Sequence, residues 1–136
     1  MEERILAGNL PTVAALAYLG DAVHGLDIRR RAVAHGLCKS GPLHNFTAKR
    51  VCAAAQAAML AAIMGELEEE EAELCRRAAN SKHLNAPKHA SDADYRQATA
   101  FEALVGMLSY LGREARLRAI LDLSYNAYED LKGETP

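Results

Sequence analysis

The sequence lacks several features that mark whole classes of protein. It has three cysteines among 136 residues, and Cys38, Cys52 and Cys75 lie far apart with no C-x-x-C pair. This pattern argues against a disulfide framework and a thiolate zinc site, and it is typical of proteins of the reducing cytosol. Residues 1–4 do not show the basic-then-apolar order of a signal peptide, so we expect a cytoplasmic location.

Membrane-spanning runs and a basic excess are also missing. The uncharged run Val51–Gly65 holds 15 residues, whereas a transmembrane helix needs about 20. The net charge is -2 at pH 7, which by itself does not indicate a nucleic-acid-binding protein. The charges are segregated, however. Six basic and no acidic residues lie between Asp27 and Glu66, six glutamates lie within 66–73, and all charges within 74–90 are basic. Such blocks can form a basic surface on a nearly neutral chain.

Signals for β-strands are scarce, whereas helix signals are strong. The chain contains 27 alanines, few β-branched residues and no alternating apolar and polar run of strand length. Because alanine is the strongest helix former, we predict one all-α domain over residues 1–136, with a core over about 9–128 and a frayed tail over 132–136. The predicted helices span about 11–35 (with Asn9 as a candidate cap and Gly20 as a candidate break), 43–64, 68–79, 92–111 and 113–129.

Two carboxylates stand within apolar helical runs. Asp21 lies in the run Leu16–Val23, and Glu102 lies in the run Ala98–Gly106. A carboxylate in such a run costs free energy unless it is hydrogen-bonded, paired or bound to a cation. Two interpretations are open at this point. Each acid can have its own structural partner at the edge of the core, or the two can converge on a Mg²⁺ ion that keeps several waters.

The same two runs resemble the signatures of a known family. Leu16–Val23 is similar to the signature helix of the ribonuclease III catalytic domain, and Phe101–Gly106 is similar to that family's second signature. The closest resemblance is to the small bacterial branch called Mini-ribonuclease III, whose members lack a double-stranded-RNA-binding domain. It covers about residues 9–128, including Leu43-His44, the helix 48–56, the segment 77–82 and Tyr95-Arg96.

The sequence departs from full-length ribonuclease III at positions that carry acids there. Ala14 and Ala17 replace two glutamates, and Thr99 replaces an aspartate, as in the Mini-ribonuclease III branch. The resemblance therefore implies that Asp21 and Glu102 alone are the catalytic and metal-binding acids, which favours one firmly held Mg²⁺ over two. The hydroxyl of Thr99 can orient Glu102 or a nearby water, or it can bond back to its own helix.

The resemblance also implies a reaction, a substrate and an assembly. The reaction is Mg²⁺-dependent hydrolysis of double-stranded RNA to 5′-phosphate and 3′-hydroxyl ends, with maturation of 23S ribosomal RNA precursor as the family's task. The assembly is a homodimer formed through the first signature helix, and a ribosomal protein or pre-ribosome is a further candidate partner. Duplex RNA is bound through phosphates and 2′-hydroxyls. The candidate contacts are His44, Lys49, Arg50, Arg77, Asn80, Lys82 and Lys88, whereas Ala79 stands where the branch usually has an arginine.

The remaining charged and histidine residues have simpler interpretations. We expect the glutamates of 66–73 to form a solvated helix face, and Arg29–Arg31 to be solvated or paired with that run. We expect His24, one turn after Asp21, to pack or form a hydrogen bond rather than act as a base. The competing functional hypothesis is a catalytically inactive ribonuclease III-like module that binds RNA or the ribosome. Two acids retained in apolar helices argue against it, because simple binding does not need them.

Overall fold

The computed structural model describes residues 10–81 and 91–133, and within these ranges it contains six α-helices and no strand. The all-α prediction is confirmed. The helices are α1 (Val13–Ala34), α2 (Ser40–Val51), α3 (Ala53–Ile63), α4 (Glu69–Ala79), α5 (Asp92–Tyr110) and α6 (Glu114–Lys132), and a 3-10 turn (Met64–Glu66) follows α3. No helix of the described ranges is both long and apolar enough to cross a membrane.

Helix α5 lies at the centre of the fold. Ten of its residues between Ala98 and Leu108 are buried, and α5 contacts α1, α3, α4 and α6. A helix that is apolar around its whole circumference must be surrounded by other elements, which explains this central place. Glu102 is the exception in this stretch, because it is partly exposed among buried neighbours.

The first helix is continuous, although Gly20 is a candidate break. Its N-terminus is capped by Thr12, whose side-chain oxygen accepts a hydrogen bond from the backbone N–H of Ala15 at 3.1 Å. Asn9, the predicted cap, lies outside the described residues. Gly20 is buried in mid-helix, and its lack of a side chain serves helix packing rather than a change of direction.

The predicted helix 43–64 is wrong in one respect, because it is two helices. Cys52 has an extended backbone (φ -71°, ψ 161°) and separates α2 from α3. The break has a packing reason: α2 lies against α1, whereas α3 lies against α5 and α6. The last helix is longer than predicted and continues to Lys132, after which Gly133 ends it with φ +63°.

Two predictions about charge are corrected by buried ion pairs. Glu71 is fully buried and accepts two hydrogen bonds from the Arg116 guanidinium at 2.7 and 2.8 Å, so the acidic run is not only a solvated face. Arg31 forms ion pairs with Asp27 at 2.8 Å and Asp122 at 2.6 Å rather than with the glutamates. These pairs tie α4 and α1 to α6, and they leave the buried carboxylates of Glu71 and Asp27 matched by opposite charges.

Candidate active site

A close crossing of α1 and α5 brings the two signature runs together. A Cβ atom added to Gly20 would lie 1.7 Å from the backbone oxygen of Glu102, and one added to Gly106 would lie 1.8 Å from the backbone oxygen of Leu16. Only glycine leaves room for backbones at this separation. The crossing therefore places Asp21, the residue after Gly20, beside Glu102.

Asp21 and Glu102 share one cleft of about 460 Å³. Asp21 is exposed although it interrupts an apolar helical run, whereas Glu102 is partly buried. The other residues that line the cleft come from the same two helices and are small or hydroxyl-bearing: Ala14, Ala17, Tyr18, Tyr95 and Thr99. The arrangement presents two carboxylates to a space that is open to a ligand.

The proximity of the two acids changes the protonation of Glu102. The pKa of Glu102 is raised to about 8, chiefly by burial and then by a hydrogen bond to Asp21 and the negative charge of Asp21. A hydrogen bond from the Gln56 amide to Glu102 Oε2 (3.5 Å) acts in the opposite direction. Two adjacent carboxylates cannot both ionise easily. The site therefore favours a proton, or a cation, between them.

Comparisons with known proteins identify the family of this sequence. The sequence model of the Ribonuclease III domain family matches residues 14–113, which include both acids. The chain belongs to the ribonuclease III domain family. Within that family it belongs to the Mini-ribonuclease III branch and is an endoribonuclease, as its relatives show.

The relatives cover nearly the whole chain. A Mini-ribonuclease 3 of Brevibacillus brevis is 39% identical over 128 residues, or 94% of this chain and 96% of the relative. A Mini-ribonuclease 3 of Thermoanaerobacter sp. is 43% identical over 115 residues, or 85% of this chain and 81% of the relative. A crystal structure of a Fusobacterium nucleatum protein has a TM-score of 0.73 and 30% identity, and covers 82% of this chain and 88% of that one.

The departures from full-length ribonuclease III lie in the cleft itself. Ala14, Ala17 and Thr99 all line it, so the acids missing from the sequence are missing from this site. The hydroxyl of Thr99 donates to the backbone oxygen of Tyr95 at 2.9 Å, which is the second of the two roles expected for it. Across residues 10–81 and 91–133 no group of three His, Cys, Asp or Glu side chains is placed to hold a metal.

The donor set nevertheless fits a hard divalent cation of the kind the ribonuclease III family implies. The ligands available are carboxylate oxygens, which Mg²⁺ prefers, and Mg²⁺ is commonly bound through one or two carboxylates with waters in the remaining positions. Asp21 and Gln56 are the side chains that act on the protonation of Glu102, and neither is cationic. A cation at Asp21 and Glu102 would offset the two effects that raise the pKa of Glu102, first its burial and then the negative charge of Asp21.

The predicted RNA-binding residues of this ribonuclease III domain fall into three groups. His44 and Lys49 on α2, and Arg77 and Asn80 at the end of α4, are exposed. Lys82 and Lys88 lie outside the described residues. The third group is Arg50 alone, whose surroundings differ from those of the other residues.

The prediction for Arg50 is corrected. Its side chain is buried, forms an ion pair with Glu129 at 2.7 Å, and stacks on Phe46 at 3.7 Å from the ring centroid. A guanidinium already desolvated by these partners is not available to a phosphate. Its neighbour Lys49 is exposed, because adjacent positions on a helix point in different directions.

Three polar residues near the site were not singled out as functional by the sequence. Gln56 and His24 are buried and are joined by a hydrogen bond of 3.0 Å, so His24 has the bonding role expected of it. Arg96 donates to the backbone oxygens of Ala79 and Ser81 at 3.0 and 3.1 Å and thereby ties the end of α4 to α5. The only sequence signal for Gln56 is that it is the one amide side chain in the uncharged run 51–65.

Proposed function

We propose that this endoribonuclease hydrolyses double-stranded RNA with Mg²⁺ held by Asp21 and Glu102. The observation that carries the proposal is the convergence of the two carboxylates in one cleft, with the pKa of Glu102 raised to about 8. Repulsion between two acids is a feature that a cation site resolves and that a purely structural site avoids.

The two acids and the small side chains of the cleft have different tasks in this function. Mg²⁺, when bound, supplies a Lewis acid for a phosphate oxygen and acidifies an attacking water. Asp21, which is exposed, is the ligand that solvent and substrate reach first, whereas Glu102 must lose its proton to become a ligand. Thr99 supports the helix by its bond to Tyr95. The small side chains of Ala14 and Ala17 leave space for the RNA backbone.

The substrate-binding surface that we propose is basic and discontinuous. It comprises the exposed residues His44, Lys49, Arg77 and Asn80, together with Lys82 and Lys88. Exposed cations can contact phosphates of an A-form duplex without reading its sequence. The physiological substrate that we propose is the base-paired end of 23S ribosomal RNA precursor, in the cytoplasm, with a ribosomal protein or pre-ribosome as a candidate partner.

We also propose that the active form is a homodimer. The side chains of Tyr18, Leu26 and Val33 are 84%, 54% and 65% exposed, and all three lie on α1. Large apolar side chains on one helix of a single copy favour burial against a second copy. A two-fold axis beside α1 would place one Asp21 on each side of it, so that two sites address the two strands of one duplex.

The test of this function is cleavage of a labelled RNA duplex with and without Mg²⁺. We expect cleavage only with Mg²⁺, and its loss by at least about a thousandfold in Asp21→Asn and Glu102→Gln, because each removes a cation ligand. Asp130→Asn on α6 and Glu69→Gln on α4 make the same chemical changes at exposed positions that do not line the cleft, and we expect both to cleave like the wild type.

The outcomes distinguish the proposed enzyme from a catalytically inactive RNA-binding module. An inactive RNA-binding module would retain the duplex in a gel-shift assay and release no product at any Mg²⁺ concentration. Full cleavage by either Asp21→Asn or Glu102→Gln would show that the site has been placed wrongly. Cleavage of single-stranded RNA at an equal rate would contradict the proposed substrate.

A further inference from the structure

Gln56 occupies an unusual position for a polar side chain. It lies on α3 within a run of alanines and large apolar residues, and its side chain is only 2% exposed. Burying an amide costs free energy unless its hydrogen-bonding groups are satisfied. Here the amide nitrogen lies 3.0 Å from His24 Nδ1 and 3.5 Å from Glu102 Oε2.

These two contacts connect three helices at the base of the cleft. His24 belongs to α1, one turn after Asp21, and Glu102 belongs to α5. The amide of Gln56 has two hydrogens to donate, and two acceptors from two different helices face it. Gln56 thus reaches Glu102 from the protein side, whereas Asp21 reaches it from the cleft.

His24 determines which way the amide points. Burial lowers the pKa of His24 to about 4, so the ring is neutral near pH 7. The ring lies edge-on to Phe101, with 5.0 Å between the ring centroids, which fixes its plane. In the tautomer with its proton on Nε2, the neutral ring accepts at Nδ1, and this keeps the NH₂ group of Gln56, rather than its oxygen, directed towards the carboxylate of Glu102.

We propose that Gln56 is a positioning residue for cation binding, and that it holds the carboxylate of Glu102 in place while His24 fixes the direction of its amide. This inference rests on the proposed function, in which Asp21 and Glu102 bind a divalent cation. A donor on the far oxygen of a ligating carboxylate restricts its rotation and favours its ionised form. Partners of this kind commonly change metal affinity by about 10- to 100-fold when they are removed.

The test compares Gln56→Met with Gln97→Met. Methionine has nearly the shape of glutamine but no donor, and Gln97 is an exposed glutamine on α5. Binding of Mn²⁺ to the metal-free protein is measured by isothermal titration calorimetry. We expect the Mn²⁺ dissociation constant to rise about tenfold in Gln56→Met and to be unchanged in Gln97→Met.

Cleavage kinetics give a second readout that a general packing defect would not produce. In Gln56→Met, the Mg²⁺ concentration that gives half-maximal cleavage should also rise about tenfold. The rate at saturating Mg²⁺ should stay within a few-fold of the wild type, because the ligands themselves remain. Urea unfolding of the metal-free proteins shows whether Gln56→Met is folded before either comparison is made.

His24→Leu tests the second half of the inference. It removes the acceptor at Nδ1 and places an apolar side chain of similar size beside Phe101. We expect a smaller loss of Mn²⁺ affinity than in Gln56→Met, and no further loss when the two changes are combined, since both act through one amide. This variant also provides the test if Gln56→Met does not fold.

The outcomes distinguish this inference from the proposed function. A wild-type chain that binds Mn²⁺ and cleaves RNA, with a Gln56→Met affinity within twofold of it, overturns the inference alone. Additive losses in the double variant overturn the role of His24. A wild-type chain that binds no Mn²⁺ overturns both the inference and the proposed cation site.

Discussion

At the scale of single residues, the site is built around a carboxylate that the fold makes reluctant to ionise. The pKa of Glu102 is raised to about 8, chiefly by burial and then by Asp21, because α5 is central and α1 crosses it closely. Binding a cation there requires the loss of the proton on Glu102. The metal-free protein therefore carries an unfavourable interaction that the proposed cation would remove, a common exchange of stability for function.

This gives a pH prediction for stability without metal. A carboxyl whose folded-state pKa is raised from 4.5 to about 8 contributes stability that is fully present below pH 4.5 and is lost as the pH rises through 8. Glu102→Gln removes that loss. We expect the variant in EDTA to be more stable than the wild type at pH 9, on the order of 2 kcal/mol, with the difference vanishing near pH 4.

Urea unfolding at a series of pH values measures this difference. Glu69→Gln is the matched control, because Glu69 is exposed and its replacement should not produce the same pH trend. Added Mg²⁺ should stabilise the wild type and not Glu102→Gln. A variant that is less stable than the wild type at pH 9 would contradict the raised pKa.

The two acids could be predicted from the sequence, but their surroundings could not. Asp21 and Glu102 each stand out because they interrupt an apolar helical run and match a family signature. The contact of Gln56 with Glu102 joins residues far apart in the chain, and no local pattern contains it. Arg50 and Lys49 are equally basic in sequence, and only tertiary packing shows that one is paired with Glu129 and the other is exposed.

At the scale of helices, the close crossing of α1 and α5 brings the two acids of the site together. It depends on Gly20 and Gly106, each of which faces backbone atoms of the other helix. Alanine at either position cannot be accommodated by rotating a neighbouring side chain, so the helices must separate. Separation would move Asp21 away from Glu102 as well as open the core.

We therefore expect Gly20→Ala and Gly106→Ala each to lower the free energy of unfolding by about 3 kcal/mol or more and to weaken Mn²⁺ binding. Gly65→Ala is the matched control, because nothing lies within 4 Å of the added Cβ and its φ is not positive. It should be neutral or stabilising by up to about 1 kcal/mol. Urea unfolding and calorimetry measure both effects, and a wild-type stability in Gly20→Ala would contradict the close crossing.

Most of the helices were predictable from the sequence, and the helix predictions that failed did so for physical reasons. Alanine content is a local signal, and so is Ser91 as a cap, which accepts a hydrogen bond from Asp94 N–H at 3.0 Å. The break at Cys52 has no such signal, since no Gly or Pro marks it. It arises because α2 and α3 pack on different helices, which a local pattern does not contain.

At the scale of the whole molecule, the net charge of -2 conceals two kinds of charged residue. Some charges are internal: Glu71 with Arg116, Arg31 with Asp27 and Asp122, and Arg50 with Glu129. Others, such as Lys49 and Arg77, are exposed and remain available to a polyanion. The basic blocks of the sequence therefore predict a larger basic surface than one copy has. A two-fold dimer would carry the exposed basic residues twice.

The final prediction concerns that dimer. Leu26→Glu places a charge on the exposed apolar side of α1, at a residue that does not line the cleft of Asp21 and Glu102. If that side packs against a second copy, the charge would be desolvated without a partner, which costs about 3 kcal/mol or more. We expect light scattering to show a dimer for the wild type and a monomer for Leu26→Glu, and we expect cutting of both strands at one position to be lost.

Leu131→Glu is the matched control for this change. Leu131 lies near the end of α6 and is 66% exposed, compared with 54% for Leu26, so both variants replace an exposed leucine by the same charge. Only the change on α1 should alter the mass in solution. A Leu26→Glu protein that stays dimeric would place the interface elsewhere. A wild-type monomer that cuts both strands would show that one Asp21–Glu102 site can serve both strands in turn.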